Sequence, residues 1–229
     1  MNVLITGGTG FFGYWLSKTK PEGIKARHLN RNDYERCHWE WYDWDAVIHC
    51  ANVSPLRVIQ NHKGKLMYVS SGAVYDGTNE YAINKRKWEA MCPNGSVIVR
   101  PFTFIGKGLK NKYAITNFIE SAKQGKPIEV WGDGSTVRSY LHGEDMGRWL
   151  WKLLLDGVGR YDVGSSVPYN MLSIAGMVAD VYGIKSIHIL NNGYPQSNYI
   201  PDTNRVKELG CVETIGLIEA IERTKHESI

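Results

Sequence analysis

Two short stretches hold the residues whose types and spacing can do chemistry. Ser70-Ser71 puts a hydroxyl pair at the end of an apolar run over residues 66–69, and ten residues past Ser71 comes Tyr81-Ala82-Ile83-Asn84-Lys85. A tyrosine and a lysine four apart on a helix share one face. The ammonium stabilises phenolate, so the tyrosine can exchange a proton with a hydroxyl or a carbonyl, while a serine hydroxyl holds the same oxygen. Each pattern alone is weak, because Tyr-x-x-x-Lys arises often by chance.

The start of the chain adds weight. An apolar strand over residues 3–5 runs into Thr6-Gly7-Gly8-Thr9-Gly10-Phe11-Phe12-Gly13. Gly7 allows the tight turn, Gly10 lets backbone N–H groups approach a pyrophosphate, and Gly13 lets the next helix pack close to the sheet. A glycine-rich connection without a ligand is the competing reading. Between a strand and a helix, dinucleotide binding is the better one.

These residues need a scaffold. Strand-like runs at residues 3–5, 26–29, 46–50, 66–69 and 97–99 alternate with helical periodicity from about residue 10 and over 81–91, 113–124, 143–155, 173–182 and 215–224. That alternation predicts an α/β fold with a parallel sheet. The run at 26–29 is polar enough for a less buried strand. Only one short helix fits between residues 50 and 66. Trp39, Trp41 and Trp44 either line a binding surface or a subunit interface, or cap the core where helices are trimmed, and capping is the simpler reading.

Composition excludes several classes. The chain has 229 residues, 43% hydrophobic and 22% charged, with 27 basic against 23 acidic side chains. No apolar run is long enough to cross a bilayer, and no secretory signal is apparent. Four scattered cysteines and seven scattered histidines show no ligand spacing, so reduced thiols, a cytoplasmic location and no metal are expected. Basic residues form no face for nucleic acid. Lys107, Lys110 and Lys112 read as a solvated loop rather than a phosphate contact.

Taken together, these motifs resemble the extended short-chain dehydrogenase/reductases, in particular the NAD-dependent epimerase/dehydratase group acting on nucleotide sugars. The resemblance covers nearly the whole chain and includes Val47-Ile48-His49-Cys50-Ala51, Glu89, Val99-Arg100-Pro101-Phe102, Ile128-Glu129-Val130-Trp131-Gly132, Arg138-Ser139-Tyr140-Leu141-His142, Tyr161-Asp162-Val163-Gly164 and Tyr199-Ile200-Pro201-Asp202. It implies a Rossmann-like, doubly wound parallel sheet with a small interleaved C-terminal substrate-binding domain. The expected division is residues 1–106 and 140–166 for the dinucleotide and 107–139 and 167–229 for the substrate. By position, Ser71, Tyr81 and Lys85 are catalytic. Gly7, Gly10, Phe11, Phe12, Gly13, Asn30, Arg31, Cys50, Ala51, Lys85 and Pro101 bind the cofactor. Ser71, Thr103 and Arg138 bind the substrate, with a structural salt bridge as the competing role for Arg138.

The departures matter as much. NAD-specific relatives carry an acidic residue after the second strand, whereas Asn30-Arg31 stands there, so the cofactor is NAD(P) with a lean to NADP. Asp33 remains a second candidate for the ribose. Dehydratases place Asp-Glu after the catalytic hydroxyl, whereas Gly72-Ala73 follows here, which disfavours dehydration. Epimerisation at sugar C4 and net reduction of a 4-keto-sugar both remain open. So do a non-catalytic dinucleotide sensor on the same fold and a reductase of a small carbonyl compound. A nucleotide sugar is the expected partner, and a homodimer, common in the resembled family, stays open.

Overall fold

The computed structural model describes residues 1–30, 44–109, 113–191, 193 and 198–226. In chain order the elements are β1 (Asn2–Thr6), α1 (Phe11–Lys18), β2 (Lys25–Leu29), β3 (Ala46–His49), α2 (Leu56–Asn61), β4 (Lys65–Val69), α3 (Glu80–Met91), β5 (Val97–Pro101), β6 (Phe104–Ile105), α4 (Ala114–Lys123), β7 (Ile128–Trp131), β8 (Val137–Arg138), β9 (Leu141–His142), α5 (Gly143–Asp156), β10 (Gly159–Val163), β11 (Tyr169–Asn170), α6 (Met171–Tyr182), β12 (Ile187–Leu190), α7 (Asn204–Glu208) and α8 (Leu217–Arg223).

The chain forms two compact units. One takes Met1–Phe102, Met146–Val163 and Asp202–Val212; the other takes Thr103–Asp145, Gly164–Pro201 and Glu213–Ile229. The first holds a six-stranded parallel sheet in the order β10-β5-β4-β3-β1-β2. Sequence explains the order. Central strands β1, β3 and β4 are nearly unbroken apolar runs, with Val3, Ile5, Val47 and Met67 wholly buried. Strand β2 (Lys-Ala-Arg-His-Leu) is mostly polar and lies at the edge. Strand β10, with Tyr161-Asp162-Val163, returns to the other edge beside β5.

Chain connections reverse direction at β1: β2 lies on one side and β3 on the other. Ligands of open α/β sheets bind at the carboxyl ends of the strands at such a switch point. Below that edge, Leu4, Leu29, Val47, Val58 and Leu66 form a core that Trp44 helps to cover. Trp44 is thus a capping residue, whereas Trp39 and Trp41 lie outside the described residues. Helix α5 crosses α1 with backbone almost in contact. A Cβ on Gly147 would stand 2.8 Å from the Trp15 carbonyl oxygen, and Trp151 Nε1 donates to the Leu16 carbonyl at 2.9 Å.

The second unit has its own core, with Ile115, Phe118 and Ile119 from α4, Ile174 and Val178 from α6, and Leu217 and Ile221 from α8. Its sheets are three two-stranded pairs, β11-β8, β12-β7 and β6-β9. Strands β6, β8, β9 and β11, at two residues each, carry too little periodicity to be read from sequence. Asp145 is buried and fully used: its carboxylate accepts from Thr214 Oγ1 at 2.7 Å, Thr214 N at 3.0 Å and Ile215 N at 2.9 Å. No helix among the described residues is long and apolar enough to cross a membrane.

Candidate active site

The glycine turn after β1 is shaped by backbone crowding. Gly7 has φ +70°, and a Cβ there would lie 2.9 Å from Ala51 N. A Cβ on Gly13 would fall 2.2 Å from the Gly8 carbonyl oxygen, so only glycine lets α1 start this close to the turn. At Gly8 a side chain would strike His28 at 2.4 Å, a requirement the three-glycine motif does not announce. Gly10 differs: its Cβ would meet nothing closer than the Gly7 oxygen at 3.4 Å. Helix α1 then begins with no side-chain cap and no acidic residue in its first turn. A positive helix end beside an open glycine is suited to an anion, so these residues fit a dinucleotide pyrophosphate. Phe11 and Phe12 open that helix, their rings edge to face at 5.9 Å.

The neighbouring strand end is tied to this turn. Thr6 Oγ1 accepts from Ala51 N at 3.3 Å and lies 2.9 Å from His49 Nδ1, while His49 Nε2 lies 3.1 Å from the Val53 carbonyl. A carbonyl only accepts, so Nε2 carries the hydrogen and Nδ1 receives the Thr6 hydroxyl. Burial drives the His49 pKa down to about 4, which keeps this ring neutral. The relay fixes the loop holding Cys50 and Ala51. Burial also pushes the Cys50 thiol up to about 12, so it is a packing group rather than a nucleophile. Asn30 is exposed just past β2, and Arg31 and Asp33 lie outside the described residues, as do Lys110 and Lys112.

Ser71 sits past the end of β4 and caps the short turn Gly72–Val74, its Oγ accepting from Ala73 N at 3.2 Å. That bond uses a lone pair and leaves the hydroxyl hydrogen for another acceptor. Helix α3 begins at Glu80 because the Asn79 side chain caps it, accepting from Ala82 N at 3.0 Å. Tyr81 on its first turn is 42% exposed, whereas Lys85 one turn on is 3% exposed. Lys85 Nζ donates to the Val69 carbonyl at 3.0 Å and stands 5.6 Å from the Tyr81 ring centroid. The structure thus draws Tyr81 and Lys85 to the end of β4 that Ser71 prolongs. Desolvation lowers the Lys85 pKa to about 8, against the pull of Cys50 and Glu89.

Two turns along α3, Glu89 is buried against β5. Arg100 holds it in a bidentate grip, and Arg160 approaches at 3.5 Å. Burial opposes the Glu89 charge, but these cations hold its pKa below the usual carboxylate value. Arg100 also lies 4.8 Å from the Tyr75 ring centroid, and the Tyr75 hydroxyl donates to Asp162 at 2.9 Å. This chain of contacts spans α3, β5 and β10. Tyr75 and Asp162 are 87 residues apart, and no spacing marks them as partners. Pro101 is buried at the end of β5.

The second unit carries the other two predicted residues. The Thr103 hydroxyl donates to the Ser139 carbonyl. Arg138 lies on β8, with Nη1 donating to the Val137 carbonyl at 2.8 Å and its guanidinium 5.9 Å from the Tyr199 ring centroid.

The sequence model of the NAD dependent epimerase/dehydratase family matches residues 52–164, the stretch that includes Ser71, Tyr81, Lys85 and Arg138. The match covers just under half of the chain. A dTDP-4-dehydro-6-deoxy-D-allose reductase from a Streptomyces species is 34% identical over 93 residues, or 38% of this chain. A trifunctional UDP-glucose 4,6-dehydratase/UDP-4-keto-6-deoxy-D-glucose 3,5-epimerase/UDP-4-keto-L-rhamnose-reductase of Arabidopsis thaliana is 35% identical over 72 residues, or 31% of this chain. The chain spans 28% and 11% of the length of these curated relatives. Among solved structures, RMD from Pseudomonas aeruginosa complexed with NADPH has a TM-score of 0.82 at 20% identity, covering 96% of both chains. The Thermus thermophilus UDP-glucose 4-epimerase complex with NAD has a TM-score of 0.81 at 18% identity, covering 97% of both chains. Both likenesses place the chain in the Rossmann-like fold that its sequence implied.

Proposed function

We propose that the chain is an NAD(P)-dependent enzyme of nucleotide-activated sugars, transferring hydride at sugar C4 with Ser71, Tyr81 and Lys85. The observation that carries this reading is the convergence of Lys85 and Tyr81 on the end of β4, where Ser71 keeps a hydroxyl hydrogen to donate. Gly7, Gly10, Gly13, Phe11 and Phe12 hold the pyrophosphate, Cys50, Ala51 and Pro101 border the cofactor, and Lys85 holds the nicotinamide ribose. When bound, the nicotinamide supplies or accepts the hydride. Tyr81 gives its proton to the carbonyl oxygen during reduction, or takes it during oxidation. Ser71 holds that same oxygen, and Lys85 favours the phenolate of Tyr81. Gly72-Ala73 has no acid or base to eliminate water. The first unit is the dinucleotide-binding part; the second binds substrate, with Thr103 near the sugar and Arg138, a planar fork, on the diphosphate.

Net reduction of a 4-keto-sugar is favoured over epimerisation. The reductase relatives support it, and so does Asn30, which sets no carboxylate against a 2′-phosphate. A preference for NADP, a homodimer and a cytoplasmic location complete the proposal. A thermal-shift panel tests it, because binding to the folded state raises Tm with RT ln(1 + [L]/Kd). NADP and at least one of the UDP-, GDP-, CDP- or dTDP-sugars should raise Tm. A flat response to both dinucleotides and every sugar nucleotide would refute it.

A further inference from the structure

Lys85 occupies an unusual place for a charged group. It is buried, its Nζ makes a hydrogen bond to the Val69 carbonyl, and three aromatic rings surround it. The distances from Nζ to the ring centroids are 5.2 Å for Tyr68, 5.6 Å for Tyr81 and 5.6 Å for Trp88. All three lie within the range where an ammonium is attracted to a π face, an attraction that grows when water is excluded. Tyr81 belongs to the proposed chemistry, but Tyr68 and Trp88 do not. Tyr68 is wholly buried on β4, and its hydroxyl has no hydrogen-bond partner among the described residues. A buried phenol with an unused hydroxyl is costly where phenylalanine would fill the same space, so its ring is the useful part.

We propose that Tyr68 and Trp88 are positioning residues that hold the Lys85 ammonium charged and fixed in its dry site. Burial alone favours the neutral amine, and an amine at this position would neither favour the Tyr81 phenolate nor keep its own aim. The rings set negative π faces beside the ammonium. The titratable groups facing Lys85 are Glu89 and Tyr81 on its own helix, Tyr68 on β4, and His49 and Cys50 at the end of β3. His49 is neutral and Cys50 a thiol, so among the described residues Glu89 is the anion acting on Lys85, and Arg100 engages it. The role given to Lys85 rests on the function proposed above; the ring contacts and their effect on its charge do not.

The test follows the Lys85 side chain by lysine-selective NMR with Lys85→Arg to assign the signal, without cofactor or substrate. In the parent protein its ε-methylene signals should be shifted upfield of the other lysines by ring currents. Trp88→Leu keeps an apolar filling and removes one π face, and should lower the Lys85 pKa by about half a unit to one unit. Trp88→Phe restores a face and should leave it near the parent value. Tyr68→Leu and Tyr68→Phe form a second, independent pair with the same expectation. A parent signal without ring-current shift would overturn the proposal. So would Leu variants that match or exceed the parent pKa, or Phe variants that fall as far as Leu. Because no turnover is involved, an enzyme inert toward all nucleotide sugars would refute the functional reading and leave this measurement standing.

Discussion

Arg100 grips Glu89 with two parallel hydrogen bonds, Nε to Oε1 at 3.0 Å and Nη2 to Oε2 at 2.7 Å. The pair joins the helix that carries Tyr81 and Lys85 to β5, and both partners are largely shielded, at 16% and 5% side-chain exposure. Removing one partner strands the other charge, so Arg100→Leu should destabilise the fold by about 3–5 kcal/mol. Glu89→Gln should cost less, because an amide can keep one bond. Denaturant unfolding of the two variants measures this, and equal, small losses would contradict it.

Acid should unfold the protein through His49. Its folded pKa of about 4 lies below the ordinary 6.5, so its contribution is full above pH 6.5 and is lost as the pH falls through 4. Glu89, with a folded value below the usual 4.5, adds loss at still lower pH. Stability measured across this range should fall with about one proton taken up on unfolding between pH 6.5 and 4. Thr6→Val, which removes the hydroxyl donated to His49, should cost about 1–3 kcal/mol at neutral pH.

Gly10 and Gly13 separate binding from folding. Gly13→Ala drives a Cβ into the Gly8 carbonyl and should lower Tm sharply. Gly10→Ala meets only the Gly7 oxygen at 3.4 Å, so the fold should hold while NADP(H) affinity drops about tenfold, a loss of about 1.4 kcal/mol. Calorimetric binding alongside Tm measures both. Unchanged affinity in Gly10→Ala would argue against a pyrophosphate at this turn.

Much of this was legible in the residues, for reasons that also explain the gaps. Residues 3–5, 46–50 and 66–69 announced their strands because a parallel sheet buries both faces and leaves nearly continuous apolar runs. Polarity over residues 26–29 marked a less buried strand, which the sheet places at its edge, and the spacing of Tyr81 and Lys85 set them on one face of a helix. Pairs such as β6-β9 and β11-β8 have two residues per strand and no period to detect. The contacts that set the charge states around Lys85 come from Tyr68, Trp88, His49 and Cys50, whose approach only the folded chain reveals. Nothing at Gly8 distinguished it from a spare glycine until His28 packed against it.

Lys85 works against the stability of its own fold. Its folded pKa of about 8 lies below the ordinary 10.5, so its burial costs most below pH 8, and the cost fades as the pH rises towards 10.5. Lys85→Met should therefore stabilise the protein at pH 7 by on the order of 2 kcal/mol, with the gain shrinking above pH 8. Denaturation curves at pH 7 and pH 10 measure the difference, and a destabilised Met variant at both would contradict it.

The most direct test is single-turnover oxidation of NADPH by a 4-keto nucleotide sugar, with the parent protein compared with Tyr81→Phe. The parent should consume the cofactor. The variant should bind it with the same Kd and react about 10²–10⁴-fold more slowly, the range that a general acid contributes. Equal rates in the two proteins would contradict a proton transfer at Tyr81.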